Sequence, residues 1–282
     1  MKNEQFKENG KKYDVRVFDD VYDFIDNLKK KDGVESWYGD SVRAFNLGDT
    51  YEEAIKKTFI GDDNADFQNF MLKFKDTKLS EGEVIQKKKL YGVQGFCPSV
   101  PRFLSGQPKS MNYRKKVVHK KKIINLFTHL IPHCRVTNSE IVGKAKEILE
   151  LAKAWEMKGY RVELNYIFTA NWVGYHNKTY DFTSIIIPLK RPENLLSLQR
   201  FSYIYCGLGF NRGLVLTDTT IRALELGFGC ETARVCGHEL GDKKEEYLAP
   251  ILERFGGNNT RVLYIDFRTN LDQFKREIEE EK

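Results

Sequence analysis

The chain has 282 residues, 46 Lys and Arg against 40 Asp and Glu for a net charge of +6, and 41% hydrophobic residues. That balance excludes a disordered chain or a coiled coil, and no stretch approaches the roughly 20 apolar residues that a membrane-crossing helix needs. At roughly 100–200 residues per domain, the length holds one large domain or a pair. Met1 to Glu8 contain neither an apolar core nor a small-residue cleavage site, so export by a signal peptide is not expected. Cys97, Cys134, Cys206, Cys230 and Cys236 are odd in number and scattered, which favours reduced thiols and a cytoplasmic location.

In chain order, the first half reads as short helices. One spans Asp19 to Lys30, with Val21, Phe24, Ile25 and Leu28 at helical spacing. Loops rich in Gly and Asp follow it. Thr50 and Glu53 form a capping-box pair that opens a second helix through about Phe59. A third helix is expected from Asn64 to Phe74, where Phe67, Phe70, Met71 and Phe74 share a face. After Gly92 the texture changes to a Pro- and Gly-rich segment, Gly95 to Pro108, whose Phe96, Val100, Phe103 and Leu104 predict a linker packed onto a surface.

From Lys122 the pattern becomes strand, helix, strand. Ile123 to Phe127 is a buried-strand candidate, and Thr137 with Glu140 makes a second capping box. The helix it opens carries Ile141, Ala145, Ile148, Ala152 and Trp155 on one face and ends at Lys158-Gly159. Tyr160 to Thr169 alternates as a strand, so a right-handed crossover predicts two parallel neighbours. A strand from Phe182 to Leu189, ended by Pro188 and Pro192, and a helix from about Asn194 to Tyr205 follow. Gly207 to Gly213 reads as a helix-to-strand turn with glycines at positive φ, leading into Leu214-Val215-Leu216. A helix over Thr217 to Leu226, a strand over Val262 to Phe267 and a terminal helix with Leu271, Phe274 and Ile278 complete an α/β pattern.

Three segments carry a family likeness: Val100 to Met111, Ile123 to Tyr160, and Gly159 to Leu164. Through them the chain resembles a family of uncharacterised bacteriophage proteins whose second half is similar to a von Willebrand factor A domain. The resemblance implies an α/β, A-domain-like (Rossmann-like) sheet flanked by helices over residues 122–282. It is preceded by a mainly helical region, 1–91, and a packed linker with a basic segment, 92–121. It also implies a viral protein acting in the host cytoplasm or carried in the virion. Metal-binding A domains place an Asp-x-Ser-x-Ser run after the first strand, because carboxylate and hydroxyl oxygens suit Mg²⁺. Here that place reads Phe127-Thr128-His129-Leu130-Ile131-Pro132, so neither a metal nor another cofactor is expected.

The strongest chemical signal is Arg114-Lys115-Lys116-Val117-Val118-His119-Lys120-Lys121-Lys122. Residues 114–190 hold 14 Lys and Arg against 6 Asp and Glu, a net +8 that leaves −2 for the rest. Such a localised field attracts phosphate backbones or an acidic partner. Lysines at a solvated strand edge also discourage edge-to-edge pairing, which is the plainer reading of the same residues. His129 and His133, with Cys134 beside them, have the i, i+4 spacing of helical metal ligands, but Pro132 spoils that helix, and Cys230, Cys236 and His238 lack zinc-site spacing. Gly207-x-Gly209-x₃-Gly213 has the wrong spacing for a dinucleotide loop. Asp181, His176, Asp218 and Asp266 sit where α/β sheets place function, so an enzyme would require some of them to converge. The sequence therefore favours a non-catalytic protein that contacts a protein partner. The alternative is nucleic-acid binding through Arg114, Lys115, Lys116, Lys120, Lys121 and Lys122, and an unrecognised active site is third.

Overall fold

The structure, a computed structural model, describes residues 1–45, 48–61, 68–69, 85–93, 97–118, 122–129, 137–173, 180–194, 196–227, 233–235, 244–257, 260–266 and 269–280. The chain forms two compact units. One combines Met1–Ser80 with Ile123–Lys282, and the other is Glu81–Lys122.

The larger unit is a mixed sheet with helices on both faces. Strands β1 (Lys2–Glu8), β2 (Lys11–Val17), β6 (Ile123–His129), β7 (Arg161–Val173), β8 (Tyr180–Lys190) and β10 (Arg261–Asp266) run in the order β1-β2-β8-β7-β6-β10, and β9 (Ala233–Val235) pairs with β7. The pairs β2/β8, β6/β7 and β6/β10 are parallel; β1/β2, β7/β8 and β7/β9 are antiparallel. The N-terminal residues, expected to be mainly helical, thus begin with a hairpin whose second strand joins the C-terminal sheet. Lys, Glu and Gln dominate β1, where only Phe6 is a large apolar residue, so period-2 hydrophobicity is absent there.

Strand alternation sorts two cores. Ile124, Leu126, Val162, Leu164, Tyr166, Phe168, Ile185 and Ile187 face one side and join the larger cluster. It also receives buried residues from helices α1 (Val21–Lys29), α2 (Val34–Phe45), α3 (Tyr51–Ile60), α5 (Asn138–Met157), α6 (Leu198–Cys206) and α7 (Leu216–Glu225). Phe127, Ile167, Phe182 and Ile186 face the other side, where Tyr247, Leu248 and Ile251 of α8 (Lys244–Phe255) cover them. The last helix, α9, spans Asp272–Glu280.

Local signals explain several boundaries. Both capping boxes are formed, Thr50 with Glu53 at α3 and Thr137 with Glu140 at α5. The crossover through α5 makes β6 and β7 parallel neighbours. Helix α2 falls in the stretch expected to be loop, since Gly33 and Gly39 mask its pattern. Pro188 does not end β8. It lies opposite Asn165 at a register shift, and a bulge tolerates a residue without an N–H. The helix expected over Asn64–Phe74 lies outside the described residues, apart from two helical positions at 68–69.

The Gly207–Gly213 segment corrects the sequence reading. Gly209–Val215 is a π-helical stretch that runs into α7, with no strand, and neither Gly209 nor Gly213 has positive φ. Their role is close approach. A Cβ on Gly213 would lie 2.3 Å from Tyr38 Cε2, and one on Gly209 would lie 2.4 Å from Tyr203 Oη. Gly213→Ala is therefore expected to cost about 1–3 kcal/mol by overpacking, read as a lower midpoint in chemical denaturation.

Charged groups tie this unit together from inside. Asp218 is fully buried and pairs with Arg16, while Lys31 Nζ lies 2.6 Å from its Oδ1. Arg222 reaches both oxygens of buried Asp14 at 3.0 Å, and Lys190 Nζ lies 2.7 Å from Glu156 in a second buried pair.

Candidate nucleic-acid interface

The smaller unit is a three-stranded antiparallel sheet in the order β3-β5-β4, from β3 (Ile85–Gly92), β4 (Cys97–Pro98) and β5 (Met111–Val118), with a five-residue helix α4 (Val100–Leu104). Pro101 fixes φ in the first turn of α4, where a missing N–H costs nothing. The segment after α4 turns back through Gly106 at φ +69°. Ser99 N donates to Ser110 O at 2.7 Å, and Asn112 Nδ2 donates to Cys97 O at 3.0 Å, closing the sheet.

The register of β3 on β5 decides the charge pattern. Lys87 pairs with Lys116, Lys88 with Lys115, and Lys89 with Arg114. Three consecutive cross-strand positions therefore place cation opposite cation. Of these six cations only the backbone is described, and along the ladder the pairs 87/116 and 89/114 fall in step with the pair Tyr91/Asn112. Glu81 to Lys122 contain eleven Lys and Arg and two Glu, a net +9 that leaves −3 for the other 240 residues. The excess first assigned to residues 114–190 is concentrated in these 42.

Of the residues singled out in the sequence, Arg114, Lys115 and Lys116 lie on β5, and Lys122 is exposed just before β6. Lys120 and Lys121 lie outside the described residues, as does His119. Sequence reasoning missed Lys87, Lys88 and Lys89, although their run is plain in the chain, because nothing local shows that it folds onto a second run 25 residues later. It also missed Arg102. Its guanidinium rests 4.3 Å from the centroid of the Tyr91 ring, and its Nε donates to Lys109 O at 3.2 Å.

The segment expected to pack through its apolar residues instead leaves them open. Phe103 is 66% and Leu104 78% exposed, and Val100 is exposed as well. Phe96 lies outside the described residues. The short helix is held by Arg102 and the backbone bonds around it, which leaves its apolar side chains uncovered.

The other candidates are drawn into structure. Asp218 serves the buried ion cluster, and Asp266 closes the turn after β10 by accepting from Thr269 Oγ1 at 2.6 Å. His129 is the buried last residue of β6, its ring 6.0 Å from that of Phe168. His133, Cys134, His176, Cys230, Cys236 and His238 lie outside the described residues, and of Asp181 only the backbone, in β8, is described. Among the described residues no three His, Cys, Asp or Glu side chains gather as a metal would require, and no helix is long and apolar enough to cross a membrane.

The sequence model of one family matches residues 5–266, from within β1 to the last residue of β10. The chain belongs to the family described as Domain of unknown function (DUF7192). No curated protein and no solved structure matches it. The match takes in all of the smaller unit and most of the larger one, so the basic sheet lies inside the DUF7192 region.

Proposed function

We propose that this DUF7192 protein binds nucleic acid through the basic β3/β5 ladder, without catalysis. The observation that carries this reading is the register that sets Lys87, Lys88 and Lys89 against Lys116, Lys115 and Arg114. Like charges directly opposite destabilise a strand pair, and a phosphate backbone relieves that repulsion as the cations displace the counterions condensed on it. Edge protection is a weaker account, since alternating Lys and Glu would guard an edge without the repulsion. The resemblance to phage proteins with an A-domain-like second half supports a viral protein acting in the host cytoplasm. The parallel β6/β7 pair joined by α5 is compatible with that A-domain likeness.

The test is fluorescence anisotropy of labelled oligonucleotides between 50 and 300 mM salt, comparing wild type with a variant carrying Gln at 87, 88, 89, 114, 115 and 116. Six phosphate contacts predict a slope of about −4 to −5 in log K against log salt, which the variant should lose. The variant should fold at least as stably as wild type at low salt, because repulsion is removed. Equal binding by the two proteins, or no binding by wild type at 50 mM salt, would overturn the proposal. In the latter case a protein partner surviving nuclease in a pull-down would favour the adaptor reading.

A further inference from the structure

We infer that the nucleic acid is single-stranded and that its bases rest on Tyr91 and Phe103; this rests on the function proposed above. Among the described residues, the 42-residue unit exposes five large apolar side chains, Tyr91, Val93, Val100, Phe103 and Leu104, against six in the rest of the chain. Charge alone would explain attraction to any phosphate backbone, but it does not explain apolar and aromatic surface in the same small unit.

The ladder sorts these features. In register, positions 87/116 and 89/114 fall in step with Tyr91, an interval of about 13 Å from position 87 to position 91 at strand rise. Tyr91 remains 39% exposed, with the Arg102 guanidinium stacked over its ring. That arrangement fixes α4, and Phe103 follows Arg102 in the same helix with two-thirds of its surface open. A row of cations leading to exposed rings suits a chain that offers phosphates and bare base faces together. A duplex buries its base faces in its own stack, so Phe103 would gain nothing from it.

The experiment compares a labelled 20-mer of oligo(dT) with a labelled 20-base-pair duplex, using wild-type protein, Phe103→Ala and Phe103→Tyr. Phe103 is exposed, so both variants should keep the wild-type fold, checked by circular dichroism and thermal midpoint. Wild type should prefer the single strand by tenfold or more. Phe103→Ala should weaken single-strand binding roughly 5- to 150-fold, the worth of one stacked base, and leave duplex binding within twofold. Phe103→Tyr should restore it. Equal affinity for the two probes with no effect of Phe103→Ala would overturn this inference and leave electrostatic binding standing. Binding of neither probe by wild type would overturn both.

Discussion

Asp218→Asn should destabilise the larger unit by about 3–5 kcal/mol, read as a lowered denaturation midpoint at pH 7. The substitution keeps the side-chain volume but leaves Arg16 and Lys31 charged against a neutral amide. Arg16 is 3% and Lys31 10% exposed, so water cannot replace the lost carboxylate. Lys31 Nζ would retain one partner, the Asp218 backbone carbonyl at 3.1 Å. Replacing Arg16, Lys31 and Asp218 together with apolar residues of similar size should cost much less, because no unpaired charge remains.

The pH dependence follows from the same geometry. Burial by itself would raise the Asp218 carboxyl, but Arg16 and Lys31 outweigh it and hold the group below the ordinary carboxylate range. A carboxyl depressed in the native state binds protons more readily when unfolded. It therefore contributes stability above the unfolded value of about 3.9, and loses it as pH falls through the native one. The gap between wild type and Asp218→Asn should be full at pH 7 and narrow below about pH 4. A gap independent of pH down to acid unfolding would show that the carboxylate is not paired.

Trp155→Ala should cost a comparable 3–5 kcal/mol by cavity formation. Trp155 is fully buried in α5, packs edge-on to Tyr160 with centroids 5.0 Å apart, and lies under the Arg261 guanidinium at 5.0 Å. It thereby links the central helix to the start of β7 and to β10. Its indole Nε1 is buried without a hydrogen-bond partner among the described residues. Trp155→Phe should for that reason be mild, under about 1.5 kcal/mol, since it keeps a ring and removes an unsatisfied donor. Equal losses for Phe and Ala, measured by urea denaturation, would mean that the indole shape matters more than burial.

Helix α5 and the strands beside it were legible because their signals are local. Thr137 and Glu140 cap within one turn, and the apolar stripe from Ile141 to Trp155 has helical period. The β1/β2 hairpin was not legible, because Lys2 to Glu8 form an edge strand with little to bury, and β2 finds β8 about 170 residues away. Glycines 209 and 213 look like turn residues in the sequence, whereas Tyr203 in the preceding helix and Tyr38, about 175 residues before Gly213, set their need for space. The candidate site divided in the same way. Arg114, Lys115 and Lys116 stood out as a charge run, while Lys87, Lys88 and Lys89 gained meaning only from a register that no local pattern encodes.

The two units also differ in when they can form during synthesis. Every strand pair of the basic sheet closes within residues 85–118, whereas β2 waits for its parallel partner β8, whose paired residues end at Ile186. At about 5–20 residues per second, roughly 3 to 13 s separate translation of Lys122 from that of Ile186. Local contacts precede distant ones as the chain emerges. All the strands of the cationic ladder are thus synthesised while the sheet that flanks it in sequence still lacks its middle strands.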